Sequence, residues 1–263
     1  MSRTLVMGVL NVTPDSFSDG GRWLDPRRAI RRGREMARQG ADLVDVGGES
    51  TRPGARPVSA KEELRRVVPV VEALAAGGIR VSIDTSKAAV AEAALRAGAS
   101  MVNDVTALRG DPRMAGVCTR AAAEVVLMHM KGTPRTMQRA PRYRDVVADI
   151  AAFFRNRLTF ALRRGISRDK IFLDPGIGFG KTPEHNVEIL RRLAEFRRLG
   201  YPLLIGTSRK SFIGRVLGGR EPDDRVFGTA ATVAVAVLRG AAVVRVHDVR
   251  EMADVVRLTD EMR

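Results

Sequence analysis

The chain has 263 residues, 44% of them hydrophobic, and a formal net charge of +15, which is enough apolar content to bury a sizeable core in one α/β barrel or in two small domains. A single cysteine, Cys118, excludes an internal disulfide, and no apolar run reaches membrane-spanning length. Arginine is spread over nearly every helical segment, without a basic stripe or an interleaved aromatic platform, so nucleic-acid binding is not expected and the positive field should favour anionic small molecules.

In chain order, short apolar runs of β type alternate with longer amphipathic ones. Strands are predicted at Leu5–Leu10, Leu43–Val46, Arg80–Ile83, Met101–Val105, Val125–Met128, Ile171–Leu173, Leu203–Ile205 and Val243–Val246. Between them run helical spacings of three and four, as in Val146, Ile150, Phe153 and Phe154, or Val187, Leu190 and Ala194. Asp25-Pro26 and Thr182-Pro183-Glu184 read as helix starts, while Gly40, Gly98 and Gly165 read as helix stops. Strictly alternating βα units require parallel strands with right-handed crossovers, and eight of them predict a single-domain (β/α)8 TIM barrel over residues 1–263, with an open doubly wound sheet as the runner-up. The N-terminus enters a strand without a signal-peptide pattern, so a cytoplasmic location is expected.

A barrel gathers the carboxyl ends of its strands at one mouth, and here every strand end is polar. Asn11 follows strand one, Asp45, Glu49, Thr51 and Arg52 lie at or after strand two, and Asp84 and Thr85 follow strand three. Asn103 and Asp104 close strand four, His129 strand five, Asp174 strand six, Ser208, Arg209 and Lys210 strand seven, and Arg245 with His247 strand eight. Some have simpler readings: Asp45 between two valines as a partly structural carboxylate, Asp84-Thr85-Ser86 as a helix cap, His129 and Cys118 as buried core groups. The glycine-rich run Asp174-Pro-Gly-Ile-Gly-Phe-Gly-Lys181 is neither a Walker loop, which needs glycine where Pro175 stands, nor a dinucleotide fingerprint, which needs glycine where Lys181 stands. Three scattered histidines and one cysteine offer no ligand spacing for a transition metal.

The ordered set of motifs resembles the bacterial dihydropteroate synthases of the pterin-binding enzyme family. It comprises Met7 to Gly21 (MGVLNVTPDSFSDGG), Asp45 to Ala55 (DVGGESTRPGA), Ser82-Ile-Asp-Thr85, Asn103-Asp104, Leu127 to Pro134 (LMHMKGTP), Asp174 to Lys181, Ser208-Arg-Lys-Ser211 and Arg245-Val-His-Asp248. The resemblance implies a barrel that condenses 6-hydroxymethyl-7,8-dihydropterin diphosphate with 4-aminobenzoate, with Mg2+ as cofactor, sulfonamides as competitors and a homodimeric assembly. It implies that Asp84, Asn103, Asp174 and Lys210 hold the pterin, and that Asn11, Thr51, Arg52, Arg245 and His247 hold the diphosphate, with Asn11 also on the metal. Phe17, Pro53, Met128, Phe179, Lys210 and Ser211 are implied to border the aminobenzoate pocket, and Asp84, Asp174, Lys210 and Arg245 to carry the chemistry. A pterin-barrel methyltransferase would share the Asp/Asn pterin end but lack Thr51-Arg52-Pro53 and Ser208-Arg-Lys-Ser211.

Overall fold

The computed structural model describes residues 3–13, 25–50, 55, 57–134 and 136–263; the expected site residues Phe17, Thr51, Arg52 and Pro53 lie outside them. The strands are β1 (Leu5–Asn11), β2 (Leu43–Gly47), β3 (Val81–Asp84), β4 (Met101–Asp104), β5 (Glu124–Met128), β6 (Ile171–Asp174), β7 (Leu204–Ile205) and β8 (Val243–Val246). The helices between and after them are α1 (Pro26–Arg38), α2 (Ala60–Ala76), α3 (Ala88–Arg96), α4 (Met114–Arg120), α5 (Val146–Arg163), α6 (Pro183–Arg191), α7 (Ser211–Val216), α8 (Val226–Leu238) and α9 (Val249–Glu261).

All strand pairs are parallel, in the order β6-β5-β4-β3-β2-β1-β8-β7. A parallel bridge between Leu173 and Leu203, with the Leu173 N–H donating to the Pro202 carbonyl at 2.9 Å, joins the two ends of that order. The sheet is therefore a closed barrel, and the open doubly wound alternative is excluded. Strands covered on both faces read as apolar runs because neither face meets water. The outer faces pack with the helices in one large cluster, in which Phe154 of α5 meets Phe196 edge-on with ring centroids 5.8 Å apart.

Inside the barrel a second cluster of Met7, Leu43, Met101, Val126, Phe172, Leu204 and Val243 forms an apolar plug. Side chains two apart on a strand share a face. Asp45, Asn103, Asp174 and Arg245, each two residues beyond Leu43, Met101, Phe172 and Val243, therefore stand one layer above that plug, toward the carboxyl ends. The sequence alternation thus lays a polar layer on an apolar floor.

Most boundaries fall where the local chemistry places them. Asp25 accepts the Arg27 N–H at 2.9 Å and Pro26 opens α1, while Gly40, at φ +105°, ends it in a conformation other residues rarely adopt. Thr182 and His185 form a reciprocal capping box at the start of α6. The spacing ending at Ala194 is a misreading: α6 stops at Arg191, and a 3-10 segment over Leu193–Leu199 buries Leu193 and Phe196 while Ala194 is exposed. Three residues per turn, rather than 3.6, selects that pair. Among the described residues no helix is long and apolar enough to cross a membrane.

Candidate active site

The polar layer is built around one cation. Arg245, on β8, donates through Nε to Asp45 at 2.6 Å and through Nη2 to Asp84 at 2.8 Å. Both carboxylates are buried, and a buried carboxylate requires a partner to stay ionised. Asp45 also accepts from Asn103 Nδ2 at 2.9 Å, so β2, β3, β4 and β8 are tied together at one level. The helix-cap reading of Asp84 fails: α3 is entered through Thr85 Oγ1, which accepts from the Lys87 N–H, and through Asp111, which accepts from the Ala88 N–H. Asp84 faces the cavity instead.

Electrostatics follow from burial and from this shared cation. Burial pushes the Asp84 carboxyl up to about 7, against the pull of Arg245 and with the help of the neighbouring Asp45, Glu63 and Asp104 carboxylates. Burial likewise raises Asp174, opposed by Lys210. Lys210 is pushed down to about 8 by burial, with Asp174 opposing and Arg245 adding to the fall. Burial works against the charge on Arg245, but Asp45 and Asp84 outweigh it and hold the guanidinium protonated.

Asp174 begins the glycine-rich loop and fixes its first turn by accepting the Gly176 N–H at 2.7 Å. A side chain on Gly176, at φ +68°, would strike the His129 carbonyl at 2.0 Å, so the loop must pass that close to β5 as bare backbone. Lys181, which ends the loop, turns inward and is 3% exposed. Its Nζ bonds the carbonyls of Gly176 (2.8 Å), Phe179 (2.9 Å) and His129 (3.3 Å) and lies 3.0 Å from His129 Nδ1. It is a scaffold for the loop, sealed from any phosphate. His129 is the satisfied core histidine expected, since burial and the nearby Lys181 push its ring down to about 2. Cys118, raised to about 12 by burial, is equally inert.

Lys210 reaches from the end of β7 across this loop, donating Nζ to the Ile177 carbonyl and lying 4.9 Å from the Phe179 ring centroid. Phe179 packs on a buried cluster of Val105, Met128, Met130 and Met137, and Ser211 opens α7 directly after Lys210. The described residues expected at the aminobenzoate pocket, Met128, Phe179, Lys210 and Ser211, therefore lie along β5, the β6 loop and the β7 end.

At the other side of the mouth stand Asn11, Arg245 and His247. Asn11 pairs with Gly47, and a Cβ placed on that glycine would lie 3.5 Å from Asn11 Oδ1 and 3.6 Å from the Asp84 Cβ. Ser208 Oγ holds His247, at 3.0 Å from Nδ1 and 3.1 Å from the backbone N–H. Arg209 ties the loops after β7 and β8 together through paired bonds to Asp248 at 3.0 and 2.5 Å.

Asp104 and Glu49 also fall outside the cavity. Asp104 faces outward and shapes the turn after β4, accepting from the Thr106 and Leu108 N–H groups at 2.8 Å each. Glu49 binds the Val58 N–H at 2.9 Å and, with buried Glu63, the Lys87 ammonium, closing the base of the segment after β2. Sequence reasoning underrated Asp45, whose side chain proves central, and passed over Ser82, whose buried Oγ has no partner among the described residues. Ser82 stands two before Asp84, so strand alternation alone would have placed it in the barrel.

This geometry has close counterparts among known proteins. Residues 7–247 match the model of the pterin binding enzyme family. A dihydropteroate synthase of Synechocystis is 48% identical over 261 residues, covering 99% of this chain and 90% of its own. The Yersinia pestis dihydropteroate synthase, solved with a sulfonamide drug, superposes with a TM-score of 0.96 at 45% identity, covering 99% of this chain and 94% of that one. The Clostridium difficile enzyme, solved in the presence of pteroic acid, gives a TM-score of 0.92 at 49% identity, with 99% and 97% covered. With a barrel mouth of buried carboxylates facing an arginine and a lysine, and likeness along nearly its whole length, the chain belongs to the pterin binding enzyme family, among its dihydropteroate synthases.

Proposed function

We propose that this cavity joins 6-hydroxymethyl-7,8-dihydropterin diphosphate to 4-aminobenzoate by a dissociative path, releasing 7,8-dihydropteroate and diphosphate. The observation that carries the reading is the meeting of Asp84, Asn103, Asp174 and Lys210 with Arg245 at one end of one barrel. Pteroic acid, named with the Clostridium difficile protein, has the same pterin-methylene-aminobenzoate skeleton as the proposed product.

Asp84, Asp174 and the Asn103 carbonyl accept pterin N–H groups, and their negative charge steadies the cation that grows on the ring as the methylene C–O bond breaks. The bonding electron pair leaves on diphosphate, toward Arg245 and His247, with Thr51 and Arg52 assigned to the same group. The amine lone pair of aminobenzoate then forms the C–N bond to the methylene carbon, and its proton passes to solvent. An arylamine needs no strong base to attack a cation. The sealed states of His129 and Cys118 fit a site without an activated nucleophile. Sulfonamides are proposed to occupy the aminobenzoate wall of Met128, Phe179, Lys210 and Ser211, with Phe17 and Pro53.

Asn11 would hold Mg2+. Its side-chain oxygen is a hard ligand at the diphosphate side, and among the described residues no cluster of three His, Cys, Asp or Glu side chains offers an alternative site. One protein oxygen suits a cation that keeps waters and phosphate oxygens in its shell, and the bound ion would supply further positive charge against the leaving diphosphate. Purified protein incubated with both substrates and Mg2+ should form dihydropteroate; no product above an Asp84→Ala control would overturn the reading.

The free-enzyme pH profile should be bell-shaped. Only the ionised Asp84 supplies negative charge to the cation growing on the pterin, so kcat/KM rises with pH through about 7; Lys210 acts only when protonated, so it falls again above about 8. Asp84→Asn should remove the Asp84 contribution to the acid limb, measured by initial rates at subsaturating pterin diphosphate.

A homodimer is proposed through α8. Phe227 is 85% exposed, and Phe227, Ala231, Val235 and Leu238 follow at spacings of four, four and three on one exposed face. No charged residue lies between Val226 and Leu238, so a two-fold contact there would bury no unpaired charge from the helix. Phe227→Asp should shift the protein from dimer to monomer in light scattering.

A further inference from the structure

Asp45 carries more than packing. Its side chain is 0% exposed, one layer above the apolar plug, and a single oxygen, Oδ2, accepts both Asn103 Nδ2 at 2.9 Å and Arg245 Nε at 2.6 Å. An oxygen that already accepts from the Arg245 guanidinium offers the amide of Asn103 only an acceptor, which leaves one orientation: nitrogen toward Asp45, oxygen away from it. Asn103 Oδ1 is then a buried acceptor without a partner among the described residues, as are Asp45 Oδ1 and Ser82 Oγ. Such atoms in a native site are held for a ligand or an ordered water.

Arg245 receives the complementary constraint. With Nε on Asp45 and Nη2 on Asp84, its guanidinium plane is fixed at two points, and Nη1 has no partner among the described residues. We infer that Asp45 is a positioning residue whose one buried oxygen sets both the polarity of the amide that reads the pterin edge and the aim of the cation that receives the diphosphate. Its Oδ2 acts through Asn103 and Arg245, not on either substrate directly. The inference rests on the reaction proposed above and adds a specificity rule: the pterin atom facing Asn103 must be an N–H donor, because Asp45 forbids the flipped amide.

Without that constraint Asn103 can rotate and offer NH2 to an N–H, leaving both unpaired. A buried polar mismatch of this kind weakens binding roughly 10- to 100-fold. Asp45→Asn is isosteric and permits the rotation. It should lower affinity for 6-hydroxymethyl-7,8-dihydropterin by calorimetry, raise the KM for the pterin diphosphate, reduce kcat by about tenfold or more, and leave the 4-aminobenzoate KM within about twofold. In an Asn103→Ala background the same substitution should cause no further loss of dihydropterin affinity, since the effect passes through Asn103.

A second variant keeps the question open to refutation should Asp45→Asn fail to fold. The exchange Asp45→Asn/Asn103→Asp conserves charge and reverses the hydrogen bond, while a carboxylate oxygen still faces the pterin. It should bind dihydropterin with near wild-type affinity but retain low kcat, because Arg245 has lost its Nε carboxylate. Wild-type dihydropterin affinity in Asp45→Asn, an additive loss with Asn103→Ala, or failure of the exchange to bind dihydropterin would each overturn the inference. A wild-type protein that makes no dihydropteroate in the same assay would instead overturn the reaction, with the calorimetric comparison still deciding the role of Asp45.

Discussion

Arg245→Ala should be the most damaging single substitution in the barrel, in both activity and stability. It removes the group proposed to receive the diphosphate, and loss of one preorganised charge partner of a developing anion costs on the order of 10²- to 10³-fold in kcat. It also strands two buried carboxylates, Asp45 and Asp84, at 2.6 and 2.8 Å from nothing in place of a guanidinium. Breaking a buried pair from one side typically costs roughly 3–5 kcal/mol. The loss should depend on pH with a definite sign. Asp84 is raised to about 7 even with Arg245 present, so without it the folded chain holds its protons more tightly than the unfolded chain over a wider range. Where the folded state binds more protons, stability falls as pH rises. Urea titrations should therefore show a larger deficit at pH 8 than at pH 6. Arg245→Lys should recover only part of the activity, because an ammonium cannot reproduce the two-point geometry of Nε and Nη2. Equal deficits at both pH values would show that Arg245 does not neutralise these carboxylates.

Lys210→Ala is expected to follow closely in effect. Lys210 opposes the burial of Asp174, spans the glycine loop to the Ile177 carbonyl and lies against Phe179. Its loss removes the proposed donor at the pterin and one wall of the proposed aminobenzoate pocket, so kcat/KM should fall by on the order of 10²-fold for either substrate. The pH profile distinguishes electrostatics from simple loss of contact. With the opposing ammonium gone, the Asp174 carboxyl rises further, so the acid limb should move to higher pH while the alkaline limb near about 8 disappears. Near wild-type turnover, or an unmoved profile, would contradict the assignment.

How the sequence announced this site depended on distance along the chain. Strand alternation is a local property, and it was enough to put Asp84, Asn103, Asp174 and Arg245 on the inner face above Ser82, Met101, Phe172 and Val243. Partnership is not local. Asp45 looked structural between Val44 and Val46 because the residue that gives it meaning, Arg245, lies 200 positions away. The resemblance implies that Asp84 serves the pterin and Arg245 the diphosphate; in the fold Arg245 contacts Asp45 and Asp84 directly, since burial leaves those carboxylates no water to solvate them. Lys181 shows the opposite trap. Its place after Gly180 invited a phosphate role, and the missing glycine at Pro175 rightly refused it, but only the folded loop reveals the lysine as an internal peg holding carbonyls. Ser208, noted only as one of several polar strand-end groups, becomes the orienter of His247 once β7 and β8 lie side by side.

The bond from β8 back to β2 also bears on how the protein comes into being. Asp45, Asp84, Asn103 and Asp174 all precede Arg245 in the chain, so synthesis delivers them before it. Until that final strand docks, the nascent barrel has carboxylates with no guanidinium and a seam open beside β1. The strand that pairs with both β1 and β7 is also the one that brings the guanidinium, so a chain truncated before Val243 would lose charge neutralisation and ring closure together.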